Sequence, residues 1–282
     1  MKNFCLFHIF LFTFFGCIAD EKGSYIVIGS PLYNPGMFSV LHTVIGTLDL
    51  YEKKGYGGLE IDFGNAGLYY DAQKGPNWWT YYLEPLRLGK KQGKKIIPYR
   101  FLNFSQEMAC RSEFYLDRYR AFEIISNYFE FKPYLLKMVY AFIDANFNRK
   151  KVIGIHYRGT DKVTESPRVP YEQVLSELNK IKQPEDLIYV ATDEADFLTY
   201  VETHFPRQTL SITATRSQNG HPIHLGKKAS GYQLGLEAML DAHLLAKCDI
   251  LIRTSSNLSL FSTYLNPELP IITLSYRYGM SR

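Results

Sequence analysis

The second half of the chain alternates short apolar runs with amphipathic stretches, and this alternation restricts the architecture more than any other feature. Residues 151–157 form a β-branched run that ends in charge, and 170–181 follow with Val174, Leu175, Leu178 and Ile181 on one helical face. The pattern repeats through an apolar run at 186–191, a helix at 194–204 and a strand at 210–213. It closes with a long helix at 232–247, an apolar strand at 249–252 opened by Asp249, a helix at 257–265 and a strand at 271–274. Strands that alternate with helices require crossover connections, which build a parallel sheet covered on both faces. The first half is less regular. Strands are expected at 24–29 and 59–63, and helices at 38–54, 112–131 and 133–146. An aromatic, Gly-rich stretch at 64–82 holds Trp78 and Trp79, read as domain core ahead of a sugar platform. The polar segment 146–151 divides the halves, giving a leader at 1–19, one α/β domain at 20–148 and a second at 149–282.

Composition removes several classes. With 46% hydrophobic and 21% charged residues the chain is not disordered. A formal charge of +4 suits a small polyanion and makes no case for nucleic acid. Lys2, the apolar stretch 4–18 and the small Ala19 have the form of a secretory signal, which implies the secretory pathway or cell envelope. An uncleaved anchor, or lipidation at Cys17, are the other readings of that leader and the only routes to a membrane. Of four cysteines, Cys5 and Cys17 lie in the leader, and Cys110 and Cys248 show no CxxC spacing. Cys248 closes a helical pattern and reads as a buried thiol. The basic run 90–95 reads as a solvated turn. P-loop, GxGxxG and DxD signatures are absent, and His221 and His224 lack a third ligand, so no metal is expected.

In a parallel sheet, ligands collect outside the carboxyl ends of the strands. Residues His156, Arg158, Asp161 and Lys162 follow the first strand of the second half; Thr192 and Asp193 follow the next. Thr254, Ser255, Ser256 and Asn257 follow the 249–252 strand and open a helix. Cations, hydroxyls and a helix N-terminus on one sheet edge suit a diphosphate, which a guanidinium can grip with two hydrogen bonds.

These segments resemble a known family. Residues 153–162, Ile-Gly-Ile-His-Tyr-Arg-Gly-Thr-Asp-Lys, are similar to the first donor-site motif of the α1,6-fucosyltransferases of the core and nodulation types. Residues 187–193 resemble their second motif, and 241–245 with 249–257 their third; 36–44 are similar to a first-domain loop and helix that close over the diphosphate. The resemblance implies a GT-B-like α/β fold of two facing Rossmann-like domains with parallel sheets, the C-terminal one more regular. It also implies inverting, metal-independent transfer of fucose from GDP-fucose to a glycan hydroxyl, with no cofactor. On this reading Arg158 holds the β-phosphate, Ser255, Ser256, Asn257 and Gly36 adjoin the phosphates, His156 and Asp241 bind guanine, and Asp193 lies beside the nucleoside. Glu165 is the candidate base, while Asp161 and Lys162 act directly or orient the loop. The sequence departs from that pattern in three places: Gly159 stands where those enzymes often have a second Arg, Glu165 is one position nearer, and the serines come one residue sooner. A transferase for another nucleotide sugar, or a glycan-binding protein of the same fold, are the alternatives.

Overall fold

A computed structural model describes residues 22–29, 35–99, 116–160, 166–218 and 229–276. The leader, Asn103, Cys110, Asp161, Lys162, Glu165, His221 and His224 lie outside the described residues. The first half is organised on a four-stranded sheet of β1 (Tyr25–Gly29), β2 (Gly58–Asp62), β3 (Arg87–Gly89) and β4 (Ile96–Tyr99), in the order β3-β2-β1-β4. β1 pairs in parallel with β2 and β4, as expected, and the short β3 joins β2 antiparallel at the sheet's edge. Pro98 lies within β4, which an edge strand tolerates because a missing N–H on its outer side breaks no ladder. The basic run between β3 and β4 is largely exposed, as read.

Helix α1 (Met37–Lys54) connects β1 to β2 and ends where Gly55 takes a left-handed φ of 67°. A single turn, α2 (Trp79–Tyr82), follows, and both tryptophans are core: Trp78 is stacked on Phe63, while Trp79 is fully buried and donates its indole N–H to Glu84 O. Two further helices are present among the described residues of this half. The first, α3 (Arg118–Tyr128), is capped by Asp117, whose carboxylate accepts from the N–H groups of Tyr119 and Arg120. The second, α4 (Pro133–Asn146), has a proline in its first turn, where no intrahelical donor is needed.

The second half follows the expected alternation. Its strands are β5 (Val152–Tyr157), β6 (Leu187–Thr192), β7 (Thr209–Leu210), β8 (Ile250–Arg253) and β9 (Ile271–Thr273). They run parallel in the order β7-β6-β5-β8-β9. The helices are α5 (Tyr171–Ile181), α6 (Ala195–His204), α7 (Gly231–Ala246) and α8 (Asn257–Leu265). Ile153, Ile155 and Tyr157 pack with Val174, Leu178, Phe197 and Val201 of α5 and α6. On the other face, Val152, Tyr189 and Leu251 join Leu244, Leu245 and Phe261 of α7 and α8. That second cluster continues without a break into Ile26, Leu41, Trp79 and Ile125 of the first half.

The winding direction reverses between β5 and β8. Chain leaving β5 goes to one side and chain leaving β8 to the other, so a crevice opens above their carboxyl ends. Among the described residues no helix is long and apolar enough to cross a membrane.

Candidate active site

The crevice is lined by three loops that hydrogen bonds tie together. Arg158, the first residue past β5, donates its backbone N–H to Thr254 Oγ1 at 2.9 Å, and Thr254 N–H returns to His156 O at 3.0 Å. These bonds stitch the loop after β5 to the loop after β8. On the other side, the buried Asp193 carboxylate gathers the turn: Gly159 N–H donates to Oδ1 at 3.1 Å, Thr160 Oγ1 donates to Oδ2, and Arg158 Nε lies 3.1 Å from Oδ2. A buried carboxylate with three donors fixes geometry, because losing any partner strands a charge. Asp193 thus clamps the turn that carries Arg158.

Gly159 has a steric cause. A Cβ built there would lie 2.3 Å from the Glu194 carboxyl carbon, so Glu194 fills the space any side chain would need. Glu194 is buried; it accepts both Arg168 Nη2 contacts, at 3.0 and 3.1 Å, and the Tyr171 hydroxyl at 2.7 Å. Arg168 Nη1 also donates to Gly159 O at 3.1 Å. The position of the expected second Arg is therefore backed by a carboxylate that is itself saturated.

Ser256 is the N-cap of α8, its Oγ accepting from Leu258 N–H at 3.3 Å. Its hydroxyl proton can still be donated. Ser255 N–H donates to Ser275 Oγ at 3.0 Å, and Asn257 opens the helix. Gly36 caps α1 with extended backbone, φ −62° and ψ 148°. The Phe38 and Phe261 rings are 5.0 Å apart, and His42 and Tyr264 are 5.1 Å apart. Contacts that advance together along both helices mean that α1 and α8 run the same way, with N-termini at one end. The positive ends of both helices therefore point the same way, with the α1 start level with the second turn of α8.

His156 and Asp241 lie deeper. His156 is buried, and its Nδ1 has no hydrogen-bond partner among the described residues. Burial, then the charges of Arg253 and Arg158, lower its pKa to about 3, so the imidazole is neutral at physiological pH. Asp241, on α7, accepts from the Tyr189 hydroxyl at 2.6 Å. Burial pushes its pKa up to about 7, against the lowering effects of that hydrogen bond and of Arg216. Gly154, His156, Tyr189 and Asp241 share the α7 side of the sheet, since Gly154 and Tyr189 are in register and His156 is two residues further on.

Arg253, the last residue of β8, belongs to this group and is not among the sequence-derived candidates. Its signal is plain in retrospect: a cation ending an otherwise apolar strand. Of the expected site residues, the structure brings His156, Arg158, Asp193, Ser255, Ser256 and Asn257 to one sheet edge, puts Asp241 on the helix facing it and sets Gly36 at the neighbouring helix end. Among the described residues no group of three or more His, Cys, Asp or Glu side chains could hold a metal ion.

A doubly wound sheet with a cationic crevice, set against a second α/β half, defines a GT-B-like α/β protein. Solved structures of fucosyltransferases share this fold. NodZ from Bradyrhizobium superposes with a TM-score of 0.60 at 16% identity, over 90% of this chain and 95% of that one. NodZ α1,6-fucosyltransferase co-crystallized with GDP gives 0.56 at 16%, over 91% and 99%. A variant of Arabidopsis thaliana FUT1 in complex with GDP gives 0.53 at 14%, over 90% and 70%. At these identities the shared property is the fold. No family model matches the chain. No curated protein matches it either.

Proposed function

We propose that this chain is an inverting, metal-independent glycosyltransferase that moves fucose from GDP-fucose to a hydroxyl of an oligosaccharide or glycoconjugate acceptor. The observation that carries this reading is the pair of hydrogen bonds joining the Arg158 and Thr254 loops at the switch point. They hold the Arg158 turn beside the loop that leads into the Ser255–Ser256 helix start, which supports a shared grip on one diphosphate. Such groups are set in advance where leaving-group charge grows, which is where electrostatic stabilisation lowers a barrier most. With guanidinium and helix ends supplying positive charge, the departing GDP needs no cation of its own. Neutral His156 and Asp241 offer the base edge of guanine a ring nitrogen and a carboxylate. Glu165 is the candidate base for the acceptor hydroxyl, with Asp161 and Lys162 beside it in sequence. The leader at 1–19 supports a secretory or cell-envelope location.

Calorimetry with GDP, UDP and their sugars tests the donor assignment. Tight GDP with weak UDP supports it, UDP preference indicates another nucleotide sugar, and no nucleotide binding indicates a glycan-binding protein. Arg158→Ala should lower kcat by about 100- to 1,000-fold in a protein that still folds, with a melting temperature reduced by loss of the ion pair to Asp193. Wild-type turnover in that variant would sink the site assignment.

A further inference from the structure

Arg253 occupies a position that the donor reading does not yet use. β8 pairs with β5 in register, Ile155 beside Ile252 and His156 beside Arg253. In-register neighbours in a sheet point to the same face, and so do residues two apart on one strand. Ile252 packs with Ile153, Ile155 and Tyr157 on the α5–α6 side. The side chains of His156 and Arg253 therefore share the opposite face, one from each wall of the switch-point crevice, and Arg158 follows directly in the loop past β5. Arg253 Nη2 donates to Ser256 O at 3.3 Å, which sets its guanidinium at the N-cap of α8. Burial, and then the charges of Arg253 and Arg158, depress the proton affinity of His156, so both guanidinium groups act on that imidazole.

Charge balance shows what this arrangement is for. A nucleoside diphosphate carries more than one negative charge, whereas Arg158 already shares its charge with Asp193 at 3.1 Å. Position 159 can supply nothing, because Glu194 fills its side-chain volume. We propose that Arg253 is the second guanidinium of the donor site, gripping the diphosphate from the β8 wall while Arg158 grips it from the β5 wall. The inference rests on the nucleoside-diphosphate reading above and adds a binding residue to it. Arg rather than Lys suits the place, since a planar fork can bond Ser256 O with one arm and phosphate oxygen with another.

The test is calorimetry on the full chain with GDP and GMP, and with UDP and UMP in parallel, for wild type, Arg253→Met and Arg253→Lys. Thermal melts establish that each variant is folded. In Arg253→Met, diphosphate affinity should fall by about 10- to 100-fold, the effect of losing a hydrogen bond to a charged group. Monophosphate affinity should change much less, so the preference for diphosphate collapses. Arg253→Lys, which keeps stem and charge, should fall between the two and provides the comparison should the Met variant fail to fold. Folded variants with wild-type diphosphate preference overturn the role of Arg253 and leave the donor reading standing. A folded wild type that binds neither diphosphate overturns both.

Discussion

Asp241 and His156 share one face of the sheet, yet burial moves them in opposite senses. Burial keeps His156 deprotonated, at about 3, and holds the proton on Asp241 up to about 7. For Asp241 the native state binds a proton between its ordinary value of 3.8 and about 7, where the unfolded chain does not. Its stabilising contribution is therefore complete below 3.8 and lost as pH rises through 7. A carboxylate that accepts from a base N–H must be ionised, so GDP affinity should rise between pH 6 and pH 8. In Asp241→Asn that part of the rise should vanish, while the melting temperature at pH 8 holds, because Tyr189 can still donate to the amide oxygen. An identical pH profile in both proteins would remove Asp241 from the base pocket. At this scale the sequence was most informative where a residue follows a strand directly, as Arg158 and Asp193 do. It was least informative where meaning depends on a partner far along the chain. Nothing near Gly159 announces that Glu194 and Arg168 lie behind it, and the clamp by Asp193 depends on an ion pair that only folding makes.

Elements differ in how openly they are written. The helices and longer strands of the second half follow from periodicity because they are long enough to show one, and β5 and β6 are buried at every position. β3 has three residues and β7 two, too short to carry a pattern, and Pro98 disguises β4. The parallel packing of α1 on α8 is likewise invisible before folding, since it joins residues more than 200 apart. Close approach of helices has its own requirement at Gly235 of α7. A Cβ there would lie 2.2 Å from Tyr82 Oη and 2.6 Å from Met37 Cε, both from the first half. Tyr82 cannot simply retreat, because its hydroxyl donates to Tyr232 O at 2.7 Å. Gly235→Ala should destabilise the protein by about 1–3 kcal/mol, the usual range for overpacking, as read from urea unfolding. The same change should weaken donor binding, because Met37 begins the helix packed along α8, whose start borders the crevice. Unaltered stability would show that α2 and α1 have room to yield.

The two halves are joined by one apolar cluster that links β1, α1 and α3 to α7 and α8. Arg118 adds a polar tie by donating to Leu269 O at 2.9 Å, and Tyr264 donates to Leu116 O at 3.1 Å. The sequence supports a boundary near 148, and the chain does turn there, with Asn148 and Arg149 at φ of 49° and 58°. What composition cannot convey is how much surface the halves share, because apolar residues that face a partner domain look like any other core. Both tryptophans lie in the first half, so fluorescence reports that half while far-UV circular dichroism reports all helices. The two signals should trace one coincident urea transition. Separate midpoints would mean that the halves melt independently.

The glutamate wedged behind Gly159 also constrains how this chain can change. Enlarging residue 159 alone would evict Glu194, and trimming Glu194 alone would leave Arg168 and Tyr171 without their shared acceptor. A larger residue at 159 therefore calls for a matching shift of the Glu194 side chain, so the loop after β5 and the start of α6 can change only as a pair.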